Sequence, residues 1–131
     1  MTSPFSGNFA TRMIREASKD RRRILDAGCG TGVQACYLAR RNTNCFVWGY
    51  DISEMAIKKA EEYKKKHGIP NVHFDVASHD DYAICEPVNF IYSNESLIGT
   101  DEYDYPLVFG PWESIVKRRL TRFHGMLLHG G

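Results

Sequence analysis

An α/β fold, with a mainly parallel sheet and helices on both of its faces, is predicted by three features of the 131-residue sequence. A short apolar run, Ile24-Leu25-Asp26-Ala27, ends on alternate glycines and leads directly into helical periodicity. The aromatic, β-branched run Cys45 to Tyr50 is followed at Ser53 by a helix carrying both a start and a stop signal. Strands then keep alternating with helices, an order that parallel strands joined by right-handed crossovers satisfy.

The first element is a short amphipathic helix. In it Phe9, Met13 and Ala17 recur every four residues beside Ala10 and Ile14; Ser6 or Asn8 opens it and the polar run Ser18 to Arg23 ends it. The first strand follows at Ile24 to Ala27, and Val33, Cys36, Tyr37 and Arg40 then recur at helical spacing. Asn42-Thr43-Asn44 makes a turn into the second strand, which ends at Asp51. Ser53 caps the next helix; Ala56, Ala60 and Tyr63 share one face, Lys and Glu fill the other, and Gly68 followed by Pro70 stops it. Asn71 to Val76 alternates as a third strand, and Val88 to Ser93 reads as a fourth after the turn at Glu86-Pro87. Residues 94–111 read mostly as loop, interrupted by prolines and rich in acids and aromatics. Pro111 opens a final helix with Trp112, Ile115, Val116 and Leu120 near one face, and Met126-Leu127-Leu128 reads as a last strand.

This length makes a single domain, 1–131, and its 43% hydrophobic content supports a core without disulfides or a structural metal. Lys and Arg total 17 against 16 Asp and Glu, for a formal charge of +1, so no global field steers the chain toward nucleic acid or an anionic membrane. Cys29, Cys36, Cys45 and Cys85 form no CxxC pair, which points away from zinc and from a redox dithiol and toward reduced thiols in the cytoplasm. The N-terminus lacks the apolar core of a signal peptide, and no apolar run nears the roughly 18 residues of a membrane span. A soluble cytoplasmic protein is expected.

The loop Asp26-Ala27-Gly28-Cys29-Gly30-Thr31-Gly32 admits three chemistries. A phosphate-cradling P-loop needs a Lys-Ser or Lys-Thr pair at the helix start, and Val33-Gln34 stand there instead. A dinucleotide loop needs its third glycine where Val33 stands, one place later than Gly32. Asp26 adds an electrostatic argument: a carboxylate at the strand end repels a pyrophosphate and attracts a ligand's positive group. Asp51, closing the second strand, is placed to accept hydrogen bonds from two adjacent ribose hydroxyls. A cationic ligand carrying a ribose satisfies both acids.

With the glycine motif at Asp26 to Gly32 and the acidic strand end Gly49-Tyr50-Asp51-Ile52-Ser53, the sequence resembles the class I S-adenosylmethionine-dependent methyltransferases, a Rossmann-like fold. The resemblance spans roughly Ile24 to Leu128. It implies that Gly28 and Gly30, with Cys29 between them in the same loop, let the backbone lie against the methionine part of S-adenosylmethionine, with Asp26 near its amino group. Gly32 then serves helix packing, Asp51 holds the ribose, and Ile52 lies against the adenine face. Ser78 stands where such families often place an acid on the adenine amine, a departure for which Asp80 is the substitute. At the end of the fourth strand Ser93 meets the cofactor's amino end, while Asn94 and Glu95 turn toward the acceptor; the same three residues also suit a helix N-terminus, and both readings stand.

Methyl transfer from a sulfonium is a displacement that needs alignment, exclusion of water and, for a protonated nucleophile, a base. No catalytic residue is assigned. His79, on the loop after the third strand, and His73, within it, are the histidines weighed as bases; His73 is read as packed and His79 as solvated. Tyr103, Tyr105, Phe109 and Trp112 either wall an acceptor pocket or cover the sheet. The motif of two prolines and an aromatic typical of methyltransferases acting on nucleic-acid amines is absent after the fourth strand. Together with the near-neutral charge, this favours a small-molecule acceptor. Arg21 to Arg23 and Lys117 to Arg119 read as solvated helix ends.

The family sheet normally continues past the fifth strand into an antiparallel pair, and the last two strands are not among these 131 residues. The chain is therefore expected to be part of a longer product, or a minimal core that covers its free sheet edge by pairing with a second copy. Besides an active methyltransferase, a non-catalytic S-adenosylmethionine-binding module that works with another chain fits the sequence; a nicotinamide-dependent oxidoreductase is disfavoured by Val33 and Asp26.

Overall fold

The computed structural model describes residues 9–84, 86–93 and 112–127. In chain order the described elements are α1 (Phe9–Ala17), β1 (Arg23–Ala27), α2 (Val33–Arg41), β2 (Phe46–Asp51), α3 (Glu54–His67), β3 (Val72–Val76), β4 (Phe90–Tyr92) and α4 (Trp112–Met126), so β4 follows β3 without a described helix between them. The sheet order is β3-β2-β1-β4, and every pairing is parallel. From β1 the chain steps outward through β2 to β3 and then crosses back to β4 on the other side of β1. The reversal therefore lies between β1 and β4, where open α/β sheets form their ligand crevice.

Strand alternation divides the core into two layers. Ile24, Val47, Val72, Phe74 and Tyr92 face α2 and α3, meeting Ala35, Cys36, Leu38, Ala39, Ile57 and Ala60. Leu25, Ala27 and Tyr50 face the other way, onto Tyr82, Val88 and Phe123 of α4. Helices thus cover both faces, as the sequence predicts. Ser53 caps α3 by accepting from the Ala56 N–H at 3.1 Å, and Gly68 ends it at φ 59°, a left-handed turn that suits glycine.

Several side-chain faces differ from expectation. In α1 Ile14 packs against the core, Ser18 just past its end is buried, and Met13 is 53% exposed. Val33 lies outside the α2 core, which is made by Ala35, Cys36, Leu38 and Ala39. In α4 the buried stripe is Ile115, Arg119 and Phe123, spaced every four residues, while Leu120 is exposed. Arg119 at 5% exposure is accordingly no solvated helix end. The expected last strand is also reduced: Met126 completes α4, and Leu127 makes one isolated parallel bridge to Val88. The expectations for Ser6, Asn8, Leu128 and the loop 94–111 fall outside the described residues.

Candidate functional site

The glycine loop turns tightly over the end of β2. The N–H groups of Gly28 and Cys29 both donate to the Tyr50 carbonyl, at 2.9 and 2.8 Å, and Gly32 N–H donates to the Cys29 carbonyl at 3.0 Å. Gly30 has φ +57° and nothing within 4 Å of where a Cβ would stand, so its outer side is open for a ligand to lie against backbone. Gly32 has the opposite surroundings. A Cβ there would come within 2.7 Å of Phe74 Cζ and 2.8 Å of Ala60 Cβ, because α2 starts hard against β3 and α3.

Asp51 is fixed beneath this loop. Its Oδ2 accepts from Gly30 N–H at 2.9 Å and its Oδ1 from Ser53 N–H at 3.0 Å, so the carboxylate braces the glycine turn and the start of α3 together. Each oxygen keeps a further lone pair for a ligand hydroxyl. Ile52 beside it is 74% exposed, an apolar surface open to a ring face.

Asp26 lies on β1 directly opposite Tyr92 of β4, across the switch point. It is 3% exposed, and its Oδ2 accepts from the Tyr92 hydroxyl at 2.7 Å. Burial pushes the carboxyl up to about 7, the Tyr92 hydroxyl works against this, and Asp51 adds repulsion. Among the described residues no Lys, Arg or His is ion-paired with it. Burial also raises the Cys29 thiol, so this loop cysteine is a neutral, apolar wall.

The loop after β3 is occupied with its own structure. Ser78 Oγ donates to Asp81 Oδ2 at 2.9 Å and accepts from Asp81 N–H at 3.1 Å, closing a turn. Asp80 is gripped by Arg118 and Arg119 of α4 at 3.2 to 3.4 Å. Burial alone would raise its carboxyl, but the two guanidiniums outweigh that and hold it below the usual range. The same carboxylate is therefore committed to α4, which weakens its case as the adenine contact. His79 is half-buried rather than fully solvated: its Nδ1 is 2.8 Å from the Tyr50 hydroxyl and its ring meets that of Phe123 edge to face. His73 is not packed: it stands exposed on the edge strand with Nε2 3.1 Å from Asp75 Oδ1. Ser93 is half-buried just beyond β4, while Asn94, Glu95, Tyr103, Tyr105 and Phe109 lie outside the described residues. Among the described residues no group of three His, Cys, Asp or Glu is placed to hold a metal.

Sequence reasoning missed Tyr92 and Arg119. Arg119 had a signal, since it sits four residues from both Ile115 and Phe123. Tyr92 had only strand register, which faces it to Asp26 from 66 positions away.

A glycine turn after β1, an acid buried before it and an acid closing β2 stand together at the carboxyl ends of β1 and β2, beside the switch point where open α/β sheets form their ligand crevice. The chain belongs to the methyltransferase domain family, whose model matches residues 18–128. It is 44% identical over 54 residues to the 2-heptyl-1-hydroxyquinolin-4(1H)-one methyltransferase of Mycobacteroides abscessus, a match covering 41% of this chain and 23% of that protein. An rRNA methylase from Streptococcus thermophilus superposes with a TM-score of 0.62 at 18% identity, covering 100% of this chain and 69% of that one. An S-adenosylmethionine-dependent methyltransferase from Thiobacillus denitrificans, in complex with S-adenosyl-L-homocysteine, superposes with a TM-score of 0.59 at 18% identity, over 83% of this chain and 42% of its own. The chain spans less than a third of the length of the first curated relatives it matches, from 15% to 29%.

Proposed function

We propose that this chain binds S-adenosylmethionine and supports methyl transfer to a small-molecule acceptor. The observation that carries this is Asp26: a carboxyl 3% exposed, lying at the switch point, with one hydroxyl donor and no paired cation among the described residues. An uncompensated buried acid is costly unless a ligand supplies the positive charge. A phosphate-bearing ligand would worsen that cost, whereas a ligand ammonium relieves it.

S-adenosylmethionine, when bound, supplies a methyl group made electrophilic by its sulfonium. The chain's own residues then divide the remaining work. Gly28 and Gly30 leave backbone exposed for the ligand's tail, Asp26 receives its amino group, and Asp51 receives the ribose hydroxyls. Ile52 and the neutral Cys29 offer apolar surface beside these groups. Ser93 stays with the cofactor's amino end, and the acceptor half falls to Asn94, Glu95 and the segment that follows.

The near-balanced charge of +1 and the small heteroaromatic substrate named for the Mycobacteroides relative support a small acceptor. The rRNA methylase neighbour makes RNA the acceptor to test against. Methyl-labelled S-adenosylmethionine should be offered with hydroxylated and amine-bearing heteroaromatics in one arm and total RNA in the other. Label passing to a small molecule supports the proposal; label passing only to RNA overturns the acceptor class. Saturable binding without transfer in either arm would instead identify a cofactor-binding module that works with another chain.

A further inference from the structure

We propose that Tyr92 is a positioning residue for the amino end of the adenosyl ligand: by holding one oxygen of Asp26 it leaves the other to receive the ligand's ammonium. This rests on the adenosyl site proposed above and adds a residue to it. The hydroxyl of Tyr92 donates to Asp26 Oδ2 at 2.7 Å, with both residues buried, and the two are register partners on β1 and β4. Among the described residues this is the only hydrogen bond to the Asp26 side chain.

The groups around the pair make this one donor consequential. Asp51 at the end of β2 repels a charge on Asp26. The Cys29 thiol in the glycine loop and the Cys36 thiol of α2 face Tyr92, and the Tyr50 hydroxyl of β2 feels Asp26 from the opposite layer. All of these are neutral or acidic, so Tyr92 is what favours the ionised carboxylate before a ligand arrives. Without it Asp26 keeps its proton to higher pH, and a protonated acid is a poor acceptor for an ammonium.

The test compares two ligands that share the adenosine but differ in the tail. S-adenosylhomocysteine carries the amino acid, and 5′-methylthioadenosine does not. With the native chain, calorimetry from pH 5.5 to 8.5 should show S-adenosylhomocysteine binding strengthening as pH rises through about 7, while methylthioadenosine binding stays flat. Tyr92→Phe should weaken S-adenosylhomocysteine about tenfold at pH 7.5, move its pH dependence upward, and leave methylthioadenosine within about twofold. Equal losses for both ligands, or an unmoved pH profile, would mean that Tyr92 is merely structural and would overturn the proposal. Retained methylthioadenosine binding also shows that the variant is folded. If neither ligand binds the native chain, the adenosyl site itself fails, an outcome distinct from a failure of Tyr92 alone.

Discussion

Replacing Asp26 by Asn should stabilise the ligand-free chain at alkaline pH while removing the adenosyl-ligand binding proposed above. Asp26 is 3% exposed, and its carboxyl is raised from 3.8 to about 7, mainly by burial. At about 1.4 kcal/mol for each tenfold change in proton affinity, holding this group ionised in the folded chain costs on the order of 4 kcal/mol. The unfolded chain releases the proton near pH 3.8 and the folded chain only near 7, so folding takes up a proton between them. Stability is therefore lost as pH rises across that window and stays lost above it. Asn never ionises and keeps an acceptor for the Tyr92 hydroxyl, but it brings amide hydrogens into a buried position, and leaving them unpaired there costs about 1 to 2 kcal/mol. The net gain for Asp26→Asn should be about 2 to 3 kcal/mol at pH 8, shrinking and then reversing toward pH 4. Urea denaturation of both chains across this range measures the difference directly. A variant no more stable than the native chain at pH 8, or a difference indifferent to pH, would refute the claim that this carboxylate is held at a cost.

Three further outcomes follow from the same geometry. Gly32→Ala places a Cβ 2.7 Å from Phe74 at φ +78° and should cost about 3 kcal/mol or more in thermal denaturation; Gly30→Ala meets open space and should cost only about 1 kcal/mol, yet weaken adenosyl binding. Asp51→Ala should weaken adenosyl binding by about 1 to 3 kcal/mol, read by calorimetry, since it removes both the ribose acceptor and the brace on Gly30 N–H. Arg119→Ala strips a buried guanidinium from Asp80 and opens space beneath α4, and should destabilise by about 2 kcal/mol or more; Arg118 still pairs Asp80, so the exposed Arg118→Ala should cost under about 1 kcal/mol.

The glycine loop and the acid closing β2 were legible because they depend on local patterns. Glycines at 28, 30 and 32 encode a turn within a few residues of each other, and Asp51 follows the next apolar run at its end. Ser53 and Gly68 likewise mark α3 by short-range capping chemistry. What escaped depends on contacts between distant segments. His79 sits in a polar stretch that reads as solvated, but Tyr50 and Phe123 from two other elements contact it and leave it half-buried. Arg119 lies in a basic run, and its charge hid its place on the buried stripe between Ile115 and Phe123. Met13 and Val33 are apolar residues left at the surface, because a short helix buries only the stripe that its neighbours happen to cover. Tyr92 reads as one more strand residue until the β1–β4 register is known, and only then does it become the partner of Asp26.

A crystal structure of the chain grown with S-adenosylhomocysteine bears most directly on the central proposal. The expected result is a ligand lying across the Gly28–Gly30 backbone, ribose hydroxyls within hydrogen-bond distance of Asp51 and the amino group turned to Asp26. A ligand seated away from the ends of β1 and β2, or a phosphate-bearing compound displacing it from the same crevice, would contradict that proposal.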